Sequence, residues 1–252
     1  MENILVGKSG IVTGAASGIG RATAFRLAEM GANLVIVDFD RNGLEVTGSQ
    51  IEESFSITCK VVETDISDES DVKNMVKVAV AEFSAIDFLV NSASVLKRTS
   101  FLDISTSEWD HVLGINLRGQ YFLCREVLRS MKPRGKGTIV NIASLAGRTS
   151  SILGGAHYTT AKHALVGLSR HLAREFAPYG IRVNAFCPGP TKTPMITKST
   201  SQEEIEHVAA VNPRGKLADP MEQANIIGFL VSDASVNIIG ACIDSNGGAL
   251  MI

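Results

Sequence analysis

Short apolar runs rich in β-branched residues recur along the chain at Gly10–Thr13, Asn33–Val37, Thr58–Val62, Asp87–Val90, Thr138–Ile142, Ile181–Ala185 and Ala241–Asp244. Continuous runs of this kind are what parallel strands covered on both faces require. Longer segments between them repeat at the helical period. In Asp68–Phe83, for example, Val72, Met75, Val76, Ala79, Val80 and Phe83 fall on one stripe. Strand and helix therefore alternate, which predicts an α/β fold: a doubly wound (Rossmann) sheet of seven mostly parallel strands with helices on both faces. Such sheets bind ligands beyond the carboxyl ends of their strands, where the strand order reverses, so the chemistry is expected at strand ends. No repeat of fixed period is visible, which sets solenoids and propellers aside.

Composition narrows this picture without changing it. The 252 residues are 45% hydrophobic and 20% charged, enough for a sizeable core in one domain spanning 1–252. With 24 Lys+Arg against 26 Asp+Glu the formal net charge is −2, which argues against a nucleic-acid partner and for a small one. The opening segment MENILVGKSG has neither a basic n-region nor an apolar h-region. No later run reaches the roughly 18 apolar residues of a membrane span, so a cytoplasmic protein without a membrane partner is expected. The four cysteines, Cys59, Cys124, Cys187 and Cys242, are widely spaced, with no C-x-x-C pair and no His at metal-ligand spacing. They read as buried free thiols, and no metal is expected. The basic run Arg129, Lys132, Arg134 and Lys136 reads as cations near a helix C-terminus.

Candidate chemistry appears at two places. The first strand runs into Thr13-Gly14-Ala15-Ala16-Ser17-Gly18-Ile19-Gly20 and then a helical stretch carrying Ala22, Ala24, Leu27 and Ala28. Glycines permit the tight turn and the close approach of a pyrophosphate, and the helix N-terminus offers unpaired N–H groups to the anion. The second strand ends at Asp38, 18 residues after Gly20, near the spacing expected for an acid that binds an adenosine ribose. A carboxylate there repels a 2′-phosphate, and Ser17 and Phe39 bring no cation to offset it, so NAD is favoured over NADP. In the second place, Tyr158 and Lys162 stand at i and i+4 of a helix-compatible stretch and can face one substrate. An adjacent ammonium favours the phenolate and would bring the tyrosine towards neutral pH. Upstream, the strand Thr138–Ile142 delivers Ser144, whose hydroxyl could bind a substrate oxygen. His157, about 100° round the helix from Tyr158, is assigned a packing or surface role.

Taken in order, these motifs resemble those of the classical short-chain dehydrogenase/reductase family from about Lys8 to Gly248. The resemblance rests on T-G-x-x-x-G-I-G at Thr13–Gly20, Asp38, Asp65 after the third strand, Asn91 to Ser94, Asn116, Ser144, Tyr158 to Lys162, and Pro188-Gly189. It implies that Tyr158 gives or takes the proton, Ser144 holds the substrate oxygen, Lys162 lowers the tyrosine pKa and binds the nicotinamide ribose, and Asn116 supports a water-linked proton path. On the cofactor side it implies the turn of Gly14, Ser17, Gly18, Ile19 and Gly20, with Asp65 and Ile66 at the adenine and Asn91 and Ala93 at the ribose. Pro188 and Gly189 belong to the same cofactor set, and Thr191 and Thr193 would hold the carboxamide. It also implies a substrate lid over about 190–215 and a homotetramer.

Two departures from the family pattern stand out. Asn91-Ser92-Ala93-Ser94 replaces N-N-A-G, removing an amide that ties neighbouring strands and placing a side chain where glycine lets the cofactor pass, so cofactor affinity is the property affected. Asp244-Ser245-Asn246-Gly247-Gly248 replaces D-G-G, a local loop change. The expected activity is hydride transfer between NAD and a secondary alcohol, polyol or ketone. A 3-oxoacyl thioester (acyl carrier protein) reductase is the alternative, and a non-catalytic cofactor-sensing or scaffold protein is the alternative of another class. The mixed small polar and apolar residues of the lid leave the substrate open.

Overall fold

The computed structural model describes residues 4–198 and 200–252. Its strands are β1 (Ser9–Thr13), β2 (Asn33–Asp38), β3 (Cys59–Glu63), β4 (Phe88–Asn91), β5 (Gly137–Ile142), β6 (Ile181–Pro188) and β7 (Cys242–Ser245). They form one sheet in the order β3-β2-β1-β4-β5-β6-β7, with every neighbouring pair parallel. The sequence-predicted runs coincide with these strands to within a residue or two, except at the end of β6. That strand continues to Pro188 because β7 pairs with it there, from Ala185↔Cys242 to Pro188↔Ser245.

Connections are made by α1 (Gly18–Glu29), α2 (Arg41–Ser54), α3 (Glu69–Phe83), α4 (Thr106–Leu113), α5 (Gln120–Met131), α6 (Ala156–Phe176), α7 (Pro194–Thr197), α8 (Gln202–Ala210) and α9 (Pro220–Val231). The strands carry apolar side chains on both faces, so each face builds its own core. Val12, Leu34, Ile36, Val90 and Val140 pack with Ala24 and Leu27 of α1, Leu44 and Ile51 of α2, and Ile227 of α9. Their neighbours Ile11, Val35, Val37, Leu89 and Ile139 pack on the opposite side with Val72, Met75 and Ala79 of α3 and with Leu123 and Val127 of α5. Most of these side chains are fully shielded from solvent, and each contributes about 1.5–3 kcal/mol by leaving water. In α3 the predicted stripe faces this core, and Asp68 caps it by accepting from the N–H groups of Ser70 and Asp71.

Between α4 and α5 the helix does not end. Residues Gly114–Gly119 wind as a π turn, and the flanking Leu113 and Gln120 keep right-handed helical backbone. The helical rod therefore runs on through Asn116. Among the described residues no helix is long and apolar enough to cross a membrane.

Candidate active site

The strand order reverses between β1 and β4, and a cleft of about 650 Å³ opens beyond the carboxyl ends of the strands. Its volume suits a ligand of cofactor or drug size. One half is built on the turn from β1 into α1. Gly14 has φ +70° and a Cβ there would lie 2.8 Å from the Ala93 nitrogen, while a Cβ at Gly20 would lie 2.2 Å from the Gly14 carbonyl oxygen. Only glycine fits either position. Ser17 occupies the N-cap of α1 without spending its hydroxyl on the helix, and the first turn of α1 holds no acidic residue. The turn thus leaves a cradle suited to an anion.

Asp38 closes this half. Its carboxylate accepts from the main-chain N–H of Ala16 at 2.9 Å and of Asp40 at 3.0 Å, one bond on each oxygen, which fixes the group in the cleft wall with lone pairs to spare. The neighbouring Phe39 is 76% exposed. The nearest following cation, Arg41, is held by Glu45 at 2.8 Å and Glu63 at 3.7 Å. Asp65 lines the same wall, folded into a turn by accepting from the Ser67 N–H at 2.8 Å and hydroxyl at 2.7 Å, with Ile66 beside it. Gly18, Ile19, Ala93, Pro188, Gly189 and Thr193 complete this part of the lining. Thr191 lines it too, although its hydroxyl is turned inward, donating to the Gly189 carbonyl at 2.9 Å and accepting from Gln223 at 3.3 Å.

The other half carries the reactive groups. Ser144 follows the end of β5, where its hydroxyl accepts from the Ala146 N–H at 3.0 Å. Tyr158 and Lys162 lie one turn apart on α6, and all three line the cleft. Lys162 is 2% exposed, donates to the Ile142 carbonyl at 2.9 Å, and sits 5.6 Å from the centroid of the Tyr158 ring. Burial lowers its pKa to about 8. Lys162 is not among the groups that shift the Tyr158 pKa. Burial raises the Tyr158 pKa, and the opposing pull comes from a hydrogen bond with Ser144. The ammonium faces the ring and the Ile142 carbonyl, and desolvation dominates both groups.

Two of the candidate residues stand behind the cleft wall. Asn91 is fully buried and stands outside the cleft wall. Its amide donates to Asn141 at 2.8 Å, tying β4 to β5, and Asn141 passes the chain of bonds to Ser169 of α6 at 2.9 Å. The strand-tying amide is therefore present at 91 although Ser92 lacks one. Asn116 also stands behind the wall. Its oxygen accepts from the Val95 N–H at 2.8 Å and the Ser94 hydroxyl at 3.0 Å, and its nitrogen donates to the Val95 carbonyl at 2.8 Å. Its amide anchors the 94–95 loop, and the extra hydroxyl of Ser94 is absorbed by that anchor.

Sequence reasoning missed several supports. The Thr13 hydroxyl accepts from the N–H groups of Ser92 and Ala93 at 3.0 and 3.1 Å, joining the ends of β1 and β4. Gln120, in the turn after Asn116, donates to the Ala93 carbonyl at 2.7 Å. His157 is fully buried, which settles its packing role. Its Nδ1 accepts from the Tyr158 N–H at 2.8 Å, so the ring proton sits on Nε2 and donates to Glu108 of α4 at 2.8 Å. Hydrogen bonds from Thr99 and His157 hold the Glu108 carboxyl below its ordinary pKa. None of these has a spacing signal, because each partner comes from a distant segment. The cleft lining also includes the apolar Val95, Leu96, Ile152, Leu153 and Ile196 together with Ser94, His111, Ser150 and Ser151.

Comparison with known proteins places this geometry in context. A family model described as enoyl-(acyl carrier protein) reductase matches residues 14–249. Levodione reductase of Leifsonia aquatica is 36% identical over 248 residues, covering 94% of this chain and 92% of that protein. A crystal structure of levodione reductase superposes with a TM-score of 0.92 at 33% identity, covering 96% of this chain and 97% of that one. The 3-oxoacyl-(acyl-carrier-protein) reductase of Aquifex aeolicus is 34% identical over 248 residues, covering 98% and 99%. A crystal structure of a short-chain type dehydrogenase/reductase from Mycobacterium marinum gives a TM-score of 0.93 at 28% identity, covering 98% and 97%.

Proposed function

The chain belongs to the short-chain dehydrogenase/reductase family of nicotinamide-dependent oxidoreductases, and on that premise we propose that it transfers hydride between NAD and an uncharged secondary alcohol or ketone. The observation that carries this reading is convergence: Ser144, Tyr158 and Lys162 open onto the same cleft as the glycine turn and Asp38. Gly14, Ser17, Gly18, Ile19 and Gly20 would cradle the pyrophosphate, Asp38 would accept from the ribose hydroxyls, and Asp65, Ile66 and Ala93 would border the adenosine. Pro188, Gly189, Thr191 and Thr193 would border the nicotinamide. Asp38, with Arg41 engaged by Glu45 and Glu63, supports NAD over NADP.

The nicotinamide, when bound, supplies or accepts the hydride. The protein's share is positioning and proton transfer. In the oxidative direction Ser144 donates a hydrogen bond to the substrate oxygen and Tyr158 takes the hydroxyl proton, with Lys162 holding positive charge behind it. The apolar side chains of Val95, Leu96, Ile152, Leu153 and Ile196 in the lining favour an uncharged substrate over a phosphate or carboxylate. The similarity to a protein named for a dione supports the same class. The 190–215 segment, with α7 and α8, serves as the substrate lid, and the family resemblance supports a cytoplasmic homotetramer.

A 3-oxoacyl thioester reductase is the second reading, favoured by the 34% identity to such an enzyme and by the description of the matching family model. Initial rates with NAD and NADP across free alcohols, polyols and hydroxyacyl thioesters separate the two. Turnover with NAD and a free alcohol is expected. NADP turnover restricted to thioesters would replace the first reading with the second, and silence with every pair would leave a cofactor-binding scaffold.

A further inference from the structure

Cys187 and Cys242 stand apart from the other cysteines. They lie on neighbouring strands β6 and β7, and since Ala185 pairs with Cys242, Cys187 is two residues further along the same face. Their Sγ atoms are 3.3 Å apart. Cys187 is fully buried, whereas Cys242 is partly open to solvent. Cys59 and Cys124 have no such partner, and burial pushes both thiols up to about 12.

The surroundings polarise the pair. Arg148, which also pairs with Asp244 at 3.2 Å, lies against Cys242, and its buried Nε has no hydrogen-bond partner. Cys242 is held down at about 7, by its contact with Cys187 first and Arg148 next, while Cys187 is pushed up by the same contact and by burial. Cys242 is therefore the more acidic and the more accessible sulfur, with the buried Cys187 behind it, the arrangement of an attacking and a resolving cysteine.

We propose that Cys187 and Cys242 are a modification site: a dithiol that hydroperoxides convert to a reversible intramolecular disulfide, with Cys242 as the attacking sulfur. The Cys242 thiolate breaks the O–O bond, forming a sulfenic acid and releasing hydroxide, which takes a proton to become water. The Cys187 sulfur then attacks the Cys242 sulfur, forming S–S, breaking S–O and expelling a second water that carries the Cys187 proton. The two sulfurs lose two electrons together and the hydroperoxide gains them. The sulfurs must close from 3.3 Å to about 2.05 Å, a movement the edge strand β7 can make because it pairs on one side only. The site touches the cleft: Cys187 precedes Pro188-Gly189 and its sulfur receives the Ser144 main-chain N–H.

The test treats the full-length reduced protein with hydrogen peroxide at neutral pH and reads intact mass and a non-reducing peptide map. The expected result is a loss of about 2 Da, one Cys187–Cys242 linked peptide, and full reversal by dithiothreitol. Cys187→Ser should stop the reaction at a trappable sulfenic acid on Cys242, and Cys242→Ser should abolish it. Oxidation that reaches only sulfinic or sulfonic acid, a linked peptide using Cys59 or Cys124, or no mass change would overturn the proposal. These readouts do not depend on the catalytic assignment. With a turned-over substrate in hand, oxidation should lower the rate reversibly in the wild-type protein and leave Cys242→Ser unaffected; an equal loss in that variant would sever the site from the cleft.

Discussion

Tyr158 and Lys162 stand one helical turn apart, yet their environments set opposite demands. Burial raises the tyrosine and lowers the lysine to about 8. Replacing Tyr158 by Phe removes the proton carrier and little volume, so turnover should fall by about 10²–10⁴ while NAD binding, followed by fluorescence, stays near the wild-type value. Retained activity would end the assignment. Lys162 carries a second prediction. Its folded-state pKa lies below the ordinary 10.5, so the unfolded chain binds the extra proton between about pH 8 and 10.5, and stability rises with pH through that window. Below pH 8 the buried ammonium costs roughly 3 kcal/mol. Lys162→Met should therefore raise the unfolding midpoint of the ligand-free protein at pH 7 and lose that advantage towards pH 10.5, while catalysis collapses. A lower midpoint throughout would show that the bond to Ile142 outweighs desolvation. At the other end of the cleft, Asp38→Ser with Phe39→Arg removes a repulsive charge and adds a pairing one, so the kcat/KM ratio should move towards NADP. An unchanged ratio would mean that Asp38 acts only on the Ala16 and Asp40 N–H groups.

Elements position these residues by joining strand ends. Thr13 ends β1 and its hydroxyl holds both N–H groups that follow β4. Thr13→Val keeps the shape and takes the buried acceptor from those two part-buried donors, at a cost of about 1 kcal/mol in denaturant unfolding, with weakened NAD binding. An unchanged midpoint would show that the 92–93 turn finds other partners. The π turn between α4 and α5 does comparable work, placing Asn116 against Val95 and Gln120 against Ala93. The His157–Glu108 bond then ties α4 to the first turn of α6, beside Tyr158. Each device joins segments distant in the chain, so each is invisible to local periodicity.

Over the whole molecule, strand order concentrates chemistry at one edge. The chain crosses the sheet after β3, and the glycine turn, Asp38 and Ser144, which lie far apart in the chain, come to share one cleft. The alternation of strand and helix, the glycine turn, the acid at the end of β2 and the i, i+4 pair on α6 were legible in the sequence because each depends on residues close along the chain. Periodicity decides which faces are buried, φ above zero demands glycine, and one helical turn sets the Tyr158–Lys162 spacing. Tertiary structure alone decided the rest. It placed Asn91 and Asn116 in strand and loop ties, enclosed His157, brought Cys187 against Cys242, and buried Tyr158 so that desolvation raises its pKa. Those outcomes depend on which distant groups share a low-dielectric interior, and hydrogen-bond partners and burial are properties of that shared space.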